Sequence, residues 1–202
     1  MFIIDFSFIL LLIVYISLVL VTLLICRKTK TYKSLFYMFV ELYVIIMTKV
    51  VIMPIYILDK KVYKDLIAGV KDFNVYGIQY IPLKGIHDTM EIVCFATIIQ
   101  VVGNVLLLMP LAFIIVWLMN KTNKAFIVLC GLVASCLIEL IQLVINVITA
   151  YPCHAVDIDD VILNYFGYLI AVLFIWLIKK YFRSFFDKVR SGFVKEENKN
   201  GR

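Results

Sequence analysis

The chain has 202 residues and a formal net charge of +6, yet 64% of it is hydrophobic and only 17% is charged. A soluble fold of this length has no core large enough to hide so much apolar surface, and a mean hydropathy of +1.02 belongs to a protein solvated by lipid. The lysines and arginines sit in short blocks between apolar stretches, which excludes a nucleic-acid surface and leaves no length for a sizeable soluble domain.

Five stretches reach the ~20 residues that a helix needs to cross a bilayer. They are residues 2–26, 35–56, 91–119, 126–150 and 158–178. The expected fold class is therefore all-α, a bundle of about five transmembrane helices in a multi-pass protein of the cell membrane. The first stretch is expected to be a retained helix, because it carries Asp5 where a leader is basic and has no small-residue cleavage site. The organisation reads as two N-terminal helices over 1–58, an extracytoplasmic loop over 59–90, a three-helix core over 91–178 and a basic amphipathic cytoplasmic tail over 179–202.

The charge blocks set the orientation. Arg27, Lys28, Lys30 and Lys33 follow the first stretch, Lys121 and Lys124 follow the third, and Lys179, Lys180 and Arg183 open a basic tail. Residues 151–157, after the fourth, carry no lysine or arginine. The linker after the second mixes five lysines with Asp59, Asp65, Asp72 and Asp88. Basic excess marks the cytoplasmic side, so the N-terminus is expected outside and the C-terminus inside. In the tail, Phe182, Phe185, Phe186, Val189 and Phe193 recur at helical spacing among basic residues, the pattern of a helix lying on the inner leaflet.

Against this apolar background the polar residues stand out. Residues 157–167 place Asp157, Asp160, Asn164 and Gly167 on one helical face at the start of the last span. Glu139 and Gln142 form a similar pair in the fourth span, and Asn104 lies in the third. At a rise of ~1.5 Å per residue, their depths below the outer edge run from ~5 Å for Asp160 through ~10 Å for Asn164 and ~17 Å for Glu139 to ~20 Å for Asn104. Small residues (Gly131, Ser135, Gly167 and Ala171) let the helices approach closely. One outward-facing cleft formed by Asn104, Glu139, Gln142, Asp157, Asp160 and Asn164 accounts for all six. The structural alternative makes Asp157 an N-cap, Asn104 an interhelical clasp and Lys49 the counter-ion of Glu139. Asp159 lies on a different helical face and reads as a surface charge.

These elements resemble those of the VanZ-like membrane proteins. Residues 104–113, with Asn104, Pro110 and Phe113, resemble the family's N-x-x-x-F-x-P-x-G-F, Glu139 and Gln142 its E-x-x-Q, and 157–167 its D-x-x-D-x-x-x-N-x-x-G. The resemblance covers roughly residues 80–176, and Ile81, Pro82 and Leu83 echo a further N-L-I-P-F loop, with Gln79 in place of its Asn. Leu108 stands where the family often has Phe, Ala112 where it has Gly, and His154 where many members carry Arg. His154 is a cation beside Asp157 only when protonated.

The resemblance implies a link to teicoplanin-type glycopeptide and lipoglycopeptide antibiotic resistance in Gram-positive bacteria, or to cell-envelope modification, without naming a biochemical step. The partners expected are membrane lipids and, in the cleft, a cell-wall precursor or a lipoglycopeptide antibiotic, with no nucleic acid and no cofactor. Two other readings stay open. A membrane-embedded enzyme would hold a divalent cation at Asp157 and Asp160, with Glu139, against a lipid-linked substrate. A proton-coupled small-molecule transporter would titrate Glu139. Zinc signatures and serine or cysteine triads are not recognisable. Cys26, Cys130 and Cys136 read as apolar fillers, whereas Cys94 and Cys153 both lie near the outer edge, where a disulfide is geometrically open.

The orientation is checked by thiol labelling of intact cells. A single cysteine placed within residues 151–157 is expected to react with an impermeant reagent, and one within 120–124 to be protected; the reverse pattern overturns the outward cleft.

Overall fold

The computed structural model describes residues 2–28, 31–59, 78–91, 95–119 and 123–182. In chain order the elements are β1 (Phe2–Ile4), α1 (Phe8–Ile25), α2 (Thr31–Ile52), β2 (Ile55–Ile57), β3 (Ile78–Gln79), α3 (Lys84–Glu91), α4 (Phe95–Leu107), α5 (Met109–Leu118), α6 (Lys124–Thr149), β4 (Val156–Asp157) and α7 (Ile158–Tyr181). Five helical segments are long and apolar enough to cross a membrane: Phe8–Ile25, Lys33–Ile52, Thr97–Leu118, Lys124–Thr149 and Ile158–Tyr181. The tail beyond Phe182, most of the 59–90 loop and Cys94 lie outside the described residues. Cys153 carries a free thiol.

Two span ends differ from the sequence expectation. Residues 2–4 and 55–57 are not helical but pair as antiparallel β1 and β2, with Ile3 opposite Tyr56. Ser7 starts α1 by accepting the Leu10 N–H at 3.2 Å, so the residues before it are free to extend. Pro54 stops α2, because proline disfavours helical geometry in the residue before it. Asp5, just after β1, pairs with Lys49, whose Nζ also donates to the Phe6 carbonyl at 3.0 Å. Lys49 thus finds its counter-ion in Asp5 rather than in Glu139.

The third span is two helices. Pro110 stands in the first turn of α5, where its missing N–H costs nothing, and Leu108 marks the break from α4 with its side chain fully buried. Pro110 is thereby a helix-start residue. Ala112, at the position where glycine was expected, is also completely buried.

The chain divides into two compact units, Met1–Phe6 with Met47–Val172, and Ser7–Ile46 with Leu173–Arg202. In the second, Thr22 donates from α1 to Glu41 on α2. In the first, small residues bring α4, α6 and α7 into close contact. A Cβ on Gly167 would overlap the Val105 carbonyl of α4, and one on Gly131 would run into the Tyr168 ring of α7. Tyr168 donates its hydroxyl to the Ile127 carbonyl at 2.7 Å, and Ser135 donates to the Val161 carbonyl at 2.8 Å. Packing and interhelical hydrogen bonds of this kind drive helix association in lipid, where the hydrophobic effect offers nothing between helices.

Gly167→Ala is expected to destabilise the protein by at least the ~1–3 kcal/mol typical of overpacking. Gly103→Ala, on α4 with open space around its Cα, serves as the near-neutral control. Thermal unfolding in detergent measures both, and equal melting temperatures would remove the α4–α7 contact from the stability argument.

Candidate functional site

The linker between α6 and α7 places the acidic residues, and it is held at several points. Asn146, fully buried near the end of α6, brackets His154: its Nδ2 donates to the His154 carbonyl at 2.7 Å and its Oδ1 accepts the His154 N–H at 3.0 Å. The His154 Nε2 lies 3.2 Å from the Ile52 carbonyl at the end of α2. Cys153 Sγ accepts the Tyr56 N–H at 3.3 Å, and the Tyr56 and Tyr151 rings meet edge to face at 5.9 Å. The linker then pairs β4 in parallel with β3, Gln79 opposite Asp157.

Each acidic side chain near this point is met by an N–H donor. Glu139, buried on α6, accepts the Asp157 backbone N–H at 3.1 Å. Asp157 Oδ1 accepts the Asp159 N–H at 2.9 Å, which caps the start of α7, and the Gln79 Nε2 at 3.5 Å. Asp159 reaches back to the other wall, its Oδ1 accepting the Leu83 N–H at 2.5 Å and its Oδ2 the Ile86 N–H at 3.0 Å. Asp160 accepts from the Asn104 amide. The Gln79 side chain also closes on Ile81, accepting its N–H at 2.7 Å and donating to its carbonyl at 2.6 Å.

Between these groups lies a cavity of about 200 Å³ whose lining includes Asp157, Asp159, Asp160, Gly85, Ile86 and Gln100. Burial raises the Asp157 pKa above its ordinary value; the Asp159 N–H opposes the rise and the Asp159 charge adds to it. Burial lowers the His154 pKa, with the Ile52 carbonyl opposing, so the histidine is held toward its neutral form. It is a fixed linker residue here, not a standing cation beside Asp157.

Of the residues expected from sequence, Asp157 and Asp160 line this cavity, Asn104 hydrogen-bonds Asp160, and Glu139 supports Asp157 through its backbone. Gln142 Oε1 and Asn164 Oδ1 are buried without a hydrogen-bond partner, and neither residue is in the cavity lining. Gly167 serves packing, one turn beyond Asn164. Asp159 is the correction. Expected at the surface, it is 2% exposed and holds the 81–86 segment by two backbone N–H groups. Helical facing within 157–167 put it aside because its partners come from a segment more than seventy residues away; the only hint was the resemblance at Ile81, Pro82 and Leu83. Gly85 and Gln100 carried no signal in the sequence. Among the described residues, no group of three His, Cys, Asp or Glu side chains is placed to hold a metal ion.

Five helices long and apolar enough to cross a membrane, with an acidic pocket where the last of them begins, define a multi-pass membrane protein. The sequence model of the VanZ/LLP1 family matches residues 35–179, most of the chain, and the protein belongs to this VanZ-like family. The match begins at Leu35, so it takes in α2 as well as the region 80–176 that carries the motifs. Comparison with curated proteins and with solved structures gives no match.

The raised Asp157 pKa makes a testable linkage. A carboxyl whose folded pKa exceeds its unfolded value of 3.8 adds stability below that pH and loses it as pH rises through the folded pKa. Melting temperature is therefore expected to fall less steeply in Asp157→Asn than in the parent protein as pH rises above 3.8. Parallel curves would show that burial of Asp157 carries no net cost.

Proposed function

We propose that this VanZ-like protein is a binding protein whose acidic pocket takes the amine group of an outer-leaflet amphiphile. The observation that carries this reading is the lining: three carboxylates, from Asp157, Asp159 and Asp160, share one cavity at the end of a membrane-spanning helix. The partners these carboxylates find among the described residues are N–H dipoles and an amide, so their charge is hydrogen-bonded but not cancelled. At an effective dielectric of ~20, a cation ~4 Å from one carboxylate gains about 4 kcal/mol, and an anion there loses as much. Phosphate and carboxylate are disfavoured guests, and a primary ammonium is favoured.

Size narrows the reading further. Pockets that enclose drug-sized ligands run to ~300–1,000 Å³, and this one is about 200 Å³. It takes a headgroup or one amino substituent, with the rest of the molecule in the bilayer. The charge blocks along the chain support an outward opening. An amine-bearing envelope lipid, a lipid-linked cell-wall precursor and an amino-bearing lipoglycopeptide all satisfy this chemistry. Through any of them the protein would act in envelope modification or in teicoplanin-type resistance. The metal-dependent and proton-coupled readings have no comparable support: no three-residue ligand set is assembled among the described residues, and Glu139 supports Asp157 rather than lining the cavity.

Binding of short-chain phosphatidylethanolamine to the purified protein, against its N-acetylated form, tests this. The amine form is expected to bind and to raise the melting temperature, and Asp160→Asn to weaken it by about tenfold, or ~1.4 kcal/mol. Equal binding of both forms would refute the amine reading. In cells, Asp160→Asn at unchanged abundance is expected to alter lipoglycopeptide susceptibility if the antibiotic is the ligand, and to leave it unchanged if the ligand is an envelope lipid.

A further inference from the structure

We infer that residues 81–86, which run from a turn into the start of α3, form one wall of the acidic pocket, latched by Asp159, and that this strap's latch sets how far the pocket opens. The inference rests on the binding reading above for its purpose, but not for its geometry. Gly85 and Ile86, in the first turn of α3, form part of the pocket wall, so movement of this segment changes the pocket's opening. The carboxylate of Asp159 holds both ends of the strap's inner turn, Leu83 through Oδ1 and Ile86 through Oδ2. Asp157 adds the weaker tie to Gln79, at 3.5 Å.

Three features make this a closure rather than ordinary loop packing. Leu83 sits at φ 65°, in the left-handed region that a branched side chain avoids, so the turn is held by its hydrogen bonds and not by its own preference. Gly85 lies directly on the carboxylates: a Cβ there would stand 2.5 Å from Asp157 Oδ2 and 3.2 Å from Asp159 Oδ2. Any side chain at this position must displace either the Asp157 carboxylate or the strap. Finally, the outer side is apolar and exposed, with Tyr80 at 77%, Ile81 at 47% and Leu83 at 60%. Such an edge suits the interface between lipid and water, where an arriving amphiphile first meets the protein.

The latch and the guest draw on the same atoms. An ammonium group bound at Asp159 Oδ2 shares that oxygen with the Ile86 N–H and draws on the same negative charge, so occupation of the pocket weakens the latch. Asp159 is accordingly a positioning residue, acting through the segment it holds.

Thiol accessibility tests the latch without any ligand. Leu163, in the pocket lining, is replaced by cysteine in a chain whose five native cysteines are alanine, and its reaction with a water-soluble maleimide is timed in detergent. Asp159→Asn keeps one acceptor and loses the other, and is expected to speed labelling about tenfold, since local opening widens access to a partly enclosed site. Gly85→Ala, which pushes the strap off while leaving Asp159 intact, is expected to do the same. Unchanged rates in both variants, each monodisperse by size exclusion, would overturn the latch, as would a rise in Gly85→Ala alone. If Asp159→Asn does not fold, Asp159→Ser takes its place, and the parent rate in that variant is enough to reject the strap. Faster labelling together with equal binding of the amine and its acetylated form would keep the latch and reject the ligand class.

Discussion

Lipid tails offer no hydrogen bonds, so polar groups carried toward a span depend on partners within the protein. The start of α7 brings three aspartates to that edge, and the chain answers with backbone N–H groups. Glu139 takes the N–H of Asp157, Asp157 takes that of Asp159, and Asp159 takes those of Leu83 and Ile86. This relay ties α6, the 151–157 linker, α7 and the 81–86 segment into one arrangement. The donors in this relay are neutral, so no opposite charge stands among them, and that gives the pocket its character.

The relay depends on helix packing deeper in the unit. Gly167 lets the backbone of α7 meet the Val105 carbonyl, which sets α4 close enough for Asn104 to reach Asp160. Gly131 and Tyr168 fix α6 against α7, and with Ser135 set the level at which Glu139 meets the Asp157 N–H. A single turn of slippage, ~5.4 Å, would separate each of these pairs. The small residues of the core are thus part of how the site is built, although none of them lies in the cavity lining.

How much of this was legible in the sequence follows from the range of each interaction. The five spans were legible because apolar length is a local property, and the acidic and amide positions because polar groups in apolar runs are conspicuous. The pairing of β1 with β2 was hidden: residues 2–4 and 55–57 are as apolar as the helices they adjoin, and hydropathy does not distinguish a strand from the end of a span. The structural alternative paired Lys49 with Glu139, whereas β1 brings Asp5 to it across forty-four residues of sequence. Asp159 was set aside for the same reason. Helical facing orders residues around one axis, and its partners lie on a different segment altogether.

Asp159 also bears on the proposal that the cavity is a binding site and not a buried structural knot. A knot lowers its energy by pairing charge with charge, as Lys49 and Asp5 do elsewhere in this chain. Here the aspartates face a common space, and burial raises the pKa of Asp157, an outcome that a nearby lysine or arginine would have reversed. His154, which occupies the position where relatives carry a permanent cation, is turned to the Ile52 carbonyl and held toward its neutral form. On the proposed reading, the positive charge that these aspartates lack among the described residues comes from a guest, and a cavity of about 200 Å³ suits a small group such as an ammonium.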